Sequence, residues 1–381
     1  MLKKMILVMF IITFSIAGAF AQKKAIVEGK IAGLTSKTIF IFIENAKGYV
    51  RDSIAVKNGS FHYEKEVDAV CLATINMNME QTTKRVGKGF LPNRSGSLQI
   101  FLSPGAHLNI SGKVTDFVDA YPSGDEANEV LAKLNKVIYP LDNEYANLYV
   151  KQRTDKGGDS IAIASKIESL NKEIDTEKRK LVFGNPNSHA AIWLINDMML
   201  RSELTDKEAV EIFPKISGTK FKSDHYYTQV MQRVGGIKET AIGQPVPEII
   251  VDKAYDGKPF KLTALKGKYV VLDFWGTWCM PCISGMPKMK EYQDKYRDRL
   301  VIVGIAKESD DGTSWKKFLA GKPEFDWVHI LNPKNINYVT KFNVAGFPTK
   351  IIISPDGKIV ARFVGEDDAI YKKLDQLLGD N

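Results

Sequence analysis

Two cysteines stand three positions apart, Cys279 and Cys282, with Met280 and Pro281 between them. They follow an apolar run of strand type, Val270-Val271-Leu272-Asp273-Phe274-Trp275, and a Gly276-Thr277 turn. This order predicts that Cys279 starts a helix, where unpaired backbone N–H groups and the helix dipole favour a thiolate. Cys282 then lies within one turn and can close a small disulfide. Pro281 fits because the first helical turn donates no intrahelical hydrogen bonds. The chemistry is thiol–disulfide exchange. Cys279 attacks a partner disulfide and the more buried Cys282 resolves the mixed disulfide. A free thiol titrates at about 8.5 and a helix-start Cys-x-x-Cys sulfur at about 7 or below, so Cys279 is partly ionised at neutral pH. Asp273 has two readings. On the solvent side of its strand it is a surface charge; on the buried side it is an acid of raised pKa that takes the proton of Cys282.

Zinc also uses Cys-x-x-Cys, but it needs two further ligands. The chain has one other cysteine, Cys71, and its five histidines form no His-x-x-x-His pair. Redox chemistry without a metal or other cofactor is therefore expected. No phosphate loop, dinucleotide-binding glycine pattern or Ser-His-Asp spacing is found. Cys71, between Val70 and Leu72, reads as an inert core thiol.

The elements that must hold this site fall into a multidomain pattern. From residue 25 to 121 short β-branched runs alternate with turns, among them Lys57-Asn58-Gly59 and Ser103-Pro104-Gly105, and predict a small β-sandwich. Residues 125–234 change to helical spacing: Val130, Leu134, Val137, Ile138 and Leu141 recur, with a kink or break near Pro140. Ser188 caps one helix, Thr205 and Glu208 form a capping box, and Ser223 caps another helix that stops at Gly235-Gly236. Residues 235–247 read as a linker. The stretch 242–381 alternates strands and helices and predicts an α/β domain with helices on both faces of a central sheet.

The C-terminal third resembles the thioredoxin superfamily, specifically its TlpA-like (ResA-like) periplasmic reductases. The resemblance is carried by Phe274-Trp275-Gly276-Thr277-Trp278-Cys279-Met280-Pro281-Cys282, by Gly346-Phe347-Pro348-Thr349 and by the Ser354-Pro355-Asp356-Gly357 hairpin. It implies a thioredoxin fold and a dithiol reductase. It implies that Asp273 is the buried acid of the group, and that Pro348 is a cis-proline facing the cysteines. Phe347 would then be extended and able to pair with a substrate strand, making Trp278, Phe347 and Pro348 the substrate-binding set. A trans proline in an ordinary turn stays open on the sequence alone. Relatives often carry an acid three residues after the second cysteine; this chain has Gly285 there. Glu308 resembles a second acid of the group, and a solvated loop charge is its equal alternative. Asp252–Leu265 resembles the extra N-terminal hairpin of these reductases. Residues 25–121 look like the β domain of unknown function often found ahead of them in Gram-negative bacteria.

Composition agrees with export and offers no other partner class. Residues 1–21 have the form of a secretory signal: Lys3 and Lys4, an apolar run, and Ala19-Phe20-Ala21 at the cleavage point. No cysteine precedes Cys71, so no lipid anchor at the leader is expected, and no later stretch is apolar enough to span a bilayer. The formal charge is +8, and removing Lys3 and Lys4 leaves +6. Acids and bases are interleaved, and the longest basic cluster, Lys178-Arg179-Lys180, is too short for a nucleic-acid patch. The expectation is a soluble periplasmic protein that reduces protein disulfides, fed by a membrane thiol electron donor, as the resemblance implies. Two alternatives differ in class. A peroxiredoxin-like peroxidase would need Thr three residues before its reactive cysteine, where Gly276 stands. An envelope-binding module would use the β and helical regions, with the redox domain incidental.

Overall fold

A computed structural model describes residues 24–45, 48–155, 159–333 and 336–379. The leader and its cleavage point lie outside the described residues. The chain divides into two compact units, residues 1–159 and 160–381.

The first unit is built on β-strands β1 (Lys24–Ala32), β2 (Thr38–Asn45), β3 (Gly48–Lys57), β4 (Ser60–Glu66), β5 (Cys71–Asn76), β6 (Leu98–Leu102), β7 (His107–Val114) and β8 (Val118–Ser123). Alternation of buried and exposed residues, as in β1 and β4, is what makes them half-buried strands. Asn58 and Gly59 both take positive φ, at 53° and 73°, the two-residue turn that Asn-Gly favours between β3 and β4. Where the sequence reads a small sandwich, hydrogen bonding runs without a gap through the order β8-β7-β1-β4-β3-β2-β5-β6. The end strands β8 and β6 approach each other, so the sheet curls round one core that includes Val27, Ile41, Ile75 and Leu108. Helix α1 (Glu126–Thr154) packs on this sheet. Its Asn128 accepts from Phe101 N at 2.9 Å and donates to Phe101 O at 2.8 Å, which satisfies buried backbone groups of β6. Pro140 neither ends nor interrupts α1, which continues to Thr154. The stretch 125–234 is therefore shared between the two units, because α1 buries its apolar face on the first sheet.

The second unit begins with α2 (Ser160–Gly184), α3 (His189–Leu200), α4 (Asp206–Ile212) and α5 (His225–Glu239). Ser188 caps α3, and Thr205 with Glu208 completes a capping box on α4. The cap of α5 is Asp224 rather than Ser223, and α5 runs through Gly235-Gly236 to Glu239 instead of stopping there. The glycine serves close packing: a Cβ on Gly236 would lie 2.4 Å from Lys341 O. Residues read as a linker are also tied down. Gly243 N donates to Ile359 O at 2.7 Å, Ile359 N to Gln244 O at 3.0 Å, and Val246 N to Gly357 O at 2.9 Å. A minimal hairpin follows, β9 (Ile250–Val251) with β10 (Phe260–Lys261).

The remaining elements are β11 (Tyr269–Trp275), α6 (Met280–Lys295), β12 (Leu300–Ala306), α7 (Thr313–Ala320), β13 (Val328–Leu331), α8 (Tyr338–Lys341), β14 (Thr349–Ile353), β15 (Ile359–Val364) and α9 (Ala369–Leu378). They form a five-stranded sheet in the order β13-β12-β11-β14-β15. Strand β11 is central, parallel to β12 and antiparallel to β14. Burial on both faces explains why the strand is apolar on both sides of Asp273. One core, with Trp275, both paired cysteines, Met286 and Leu374, and a second, with Leu272, Phe274 and Phe342, contain residues from this central strand.

Candidate active site

Strand β11 delivers the chain to the start of α6 through residues 276–278. Cys279 is the N-cap of α6, with extended φ and ψ of −94° and 92°, and its sulfur accepts from Cys282 N at 3.3 Å. Pro281 stands in the first turn, where no donor is missed. Cys279 and Cys282 form a disulfide, with Cα atoms 5.3 Å apart. Both are buried, at 4% and 1% exposure, so the expected difference in their access to solvent is small in the oxidised form. Cys71 is elsewhere, a free buried thiol in β5 whose pKa burial, then Glu44, push up to about 11.

The turn before Cys279 is fixed from outside. Glu308 accepts from Thr277 N at 2.8 Å and from Thr277 Oγ1 at 2.9 Å. Its carboxylate anchors the turn. The Trp278 indole folds back and donates to Lys307 O at 2.8 Å. This position requires Gly276, because a Cβ there would lie 2.5 Å from the indole nitrogen. Trp278 remains half exposed, and its ring meets Phe347 edge-on with centroids 5.2 Å apart. The Phe347–Pro348 bond is cis, and Phe347 packs against the core that holds both cysteines. Met280 and Val364 add further exposed apolar surface.

Asp273 lies on the inner side of β11, 2% exposed. Burial pushes its carboxyl up to about 6; Lys350 opposes this and Glu366 adds to it. Lys350 is its antiparallel partner in β14, and the Lys350 ammonium is 3.9 Å from Asp273 Oδ1. Glu366, just after β15, takes Lys350 Nζ at 2.5 Å, and Tyr371 Oη donates to its other oxygen at 3.0 Å. Sequence reasoning missed Lys350 and Glu366. The one local signal was Gly285, where a Cβ would lie 2.3 Å from Glu366 Cδ. His329 is near the site, its ring centroid 6.0 Å from that of Trp275, but burial holds its pKa down to about 4. It is neutral at physiological pH. Among the described residues no group of three metal-ligating side chains is found, and no helix is long and apolar enough to cross a membrane.

Comparison with known proteins follows the same division. Residues 267–359 match a thioredoxin-like family, and residues 25–131 match a domain of unknown function, DUF4369. The thiol-disulfide oxidoreductase ResA of Bacillus cereus is 34% identical over 125 residues, 33% of this chain and 70% of that protein. The thioredoxin-like protein YneN of Bacillus subtilis is 33% identical over 141 residues, 36% of this chain and 79% of that protein. Among solved structures, the thioredoxin domain of a thiol-disulfide oxidoreductase from Bacteroides vulgatus aligns at 27% identity and a TM-score of 0.34, covering 36% of this chain and 99% of that one. That score adds nothing to the sequence match.

Proposed function

Because the chain belongs, through its C-terminal region, to the ResA-like thiol–disulfide oxidoreductases of the thioredoxin family, we propose that it is a periplasmic reductase of protein disulfides. The observation that carries this reading is the disulfide at the start of α6, with an acid of raised pKa buried in the neighbouring strand. In the reduced protein, the Cys279 thiolate attacks a client disulfide and expels one client sulfur. Cys282 then gives its proton to Asp273 and attacks Cys279, which releases the second client sulfur and leaves Cys279–Cys282 oxidised. Two electrons pass to the client, and a membrane dithiol carrier returns them. Trp278, Phe347 and Pro348 receive the client chain beside the sulfurs, and the backbone of Phe347 pairs with it.

The direction follows from charge. Met280 and Pro281 bring no cation to the Cys279 thiolate, and Asp273 adds negative charge below, so the disulfide form is favoured and the potential is near the thioredoxin value of about −270 mV. Gly276 argues against the peroxidase alternative, since any side chain there meets the Trp278 indole. Export rests on the leader: the mature chain begins at Gln22 after cleavage behind Ala21. Equilibration against glutathione tests the direction; a potential near −120 mV, that of a strong oxidant, would overturn it. An intact mass that retained residues 1–21 in a periplasmic fraction would overturn the address.

A further inference from the structure

The charges buried beside the sheet are shared unequally. Lys350 Nζ is 2.5 Å from Glu366 Oε2 but 3.9 Å from Asp273 Oδ1. That Asp273 oxygen is buried and has no hydrogen-bond partner. The ammonium bonds to Glu366 and attracts Asp273 only from a distance. Side-chain exposure is 2% for Asp273 and Lys350 and 23% for Glu366, so the three groups lead from the interior to solvent. Glu366 holds its place by lying over Gly285 in α6, where a Cβ would meet its carboxylate atoms at 2.3 to 2.5 Å. Tyr371 closes the cradle, donating to Glu366 Oε1 at 3.0 Å and to Gly285 O at 3.4 Å. No structural need for an ion pair requires a third charge left half-paired. A group that must gain and lose a proton does require it.

We propose that Lys350 and Glu366 are positioning residues for Asp273: they set how readily it holds a proton and carry that proton to solvent. The proposal rests on the reading of Asp273 as acid–base partner of Cys282. In the resolving step the Cys282 proton moves to the Asp273 carboxylate. The electron pair left on sulfur forms the new bond to Cys279, and the pair of the broken mixed disulfide leaves with the client sulfur. Asp273 is then a neutral acid. Lys350 passes one proton to Glu366 and takes that of Asp273, and Glu366 releases its proton to water. The client disulfide is the sole oxidant.

The two partners act with opposite sign. Without the Glu366 charge, Lys350 is free to serve Asp273 alone, and the carboxylate is favoured. Without Lys350, Asp273 and Glu366 face each other as like charges, and neutral Asp273 is favoured. Of the other titratable groups on α6 and α9, Tyr371 acts on Asp273 and Glu366 and on Asp368 just before α9, and Cys279 and Cys282 share its core. Lys288 and Asp368 pair with each other at 2.5 Å. Strand β12 sets only Gly304 opposite Asp273. None of these changes in the variants below, except that Tyr371 loses a carboxylate partner when Glu366 is replaced.

The test is the rate of the resolving step in single turnover of the full chain from pH 5 to 9, with oxidised glutathione as the probe disulfide. The rate should rise through the titration of Asp273. Glu366→Gln should move that rise down by about one pH unit, and Lys350→Met should move it up by about one unit. Gly285→Ala, which pushes Glu366 aside, should follow Glu366→Gln and add nothing to it in the double variant. Shifts in the same direction, or no shift, overturn the proposal. Should Lys350→Met not fold, Glu366→Gln and Gly285→Ala decide alone: without a downward shift the proposal fails. Asp273→Asn separates the two levels. If it keeps the rise, the reading of Asp273 falls; if it removes the rise while the partners leave it in place, only the relay falls.

Discussion

Each unit of the protein buries one lysine beside an aspartate, and the two pairs are built differently. In the first unit Lys84 donates to Asp116 Oδ2 and to Asp116 O, both at 2.9 Å, and Asn143 and Asn147 each donate to the same carboxylate at 3.0 Å. Burial alone would raise the Asp116 pKa, but the Asn147, Lys84 and Asn143 hydrogen bonds outweigh it and hold the group below the usual carboxylate range. In the second unit Asp273 has a buried oxygen without a partner and a lysine engaged elsewhere. A fully bonded pair is locked in one charge state across ordinary pH, whereas an under-bonded acid can change state near neutrality. The cysteines divide in the same way: Cys71 is held in a core by apolar neighbours, and the paired sulfurs sit at a helix start.

The contrast can be broken most directly at the sulfurs. Cys279→Ser should abolish disulfide reduction, and Cys282→Ser should accumulate mixed disulfides through Cys279. Adducts mapped to Cys71 by peptide mass analysis would remove the distinction. Next come the two aspartates. Asp273→Asn should slow the resolving step roughly 10²- to 10³-fold, while Asp116→Asn should leave turnover unchanged; equal losses would erase the difference between a working and a structural acid.

Stability should separate the units by the sign of its pH dependence. Asp273 titrates higher when folded than the unfolded value, so its contribution is full below about 3.9 and is lost as pH rises through about 6. The two-unit shift corresponds to roughly 3 kcal/mol, and Asp273→Asn should flatten it. Asp116 has the opposite sign: its contribution is full above about 3.9 and is lost as pH falls toward its depressed folded value. All five tryptophans, Trp193, Trp275, Trp278, Trp315 and Trp327, lie in the second unit, so tryptophan emission during urea unfolding follows that unit, and far-ultraviolet dichroism follows both. The smallest effect belongs to Cys71→Ala: unchanged turnover and a stability loss of about 1 kcal/mol. A twofold fall in turnover would give Cys71 a part in the chemistry.

What the sequence made legible was local. Cys279 reads as a helix start because Gly276, Thr277 and Pro281 surround it, and β12, β14 and α9 begin and end where their apolar patterns do. The edge strand β13 leaves little trace in the sequence because Val328–Leu331 is only four residues long. Gly236 reads as a stop because a glycine that admits a neighbouring backbone looks the same in sequence as one that ends a helix. Lys350 reads as a surface residue at a strand start, and Glu366, in Gly365-Glu366-Asp367-Asp368, as a solvated acidic loop. Only the register of β11 with β14 and the tertiary approach of residue 366 to α6 bring them to Asp273, and such long-range placement leaves no mark on neighbouring positions.

The segment 243–246, bonded to Gly357 and Ile359 at the start of β15, has a consequence for the solubility of shortened chains. An open strand margin is a template on which a second polypeptide can add itself, and natural sheets cover or blunt such margins. Here the cover comes from residues that precede the sheet in the chain. A truncation beginning at Glu248 would keep every sulfur, acid and strand of the redox domain yet strip the hydrogen-bonding partners from Gly357 and Ile359. Copies of that fragment would have a longer bare seam for edge-to-edge stacking than a fragment begun six or seven residues earlier, whose strand start stays covered.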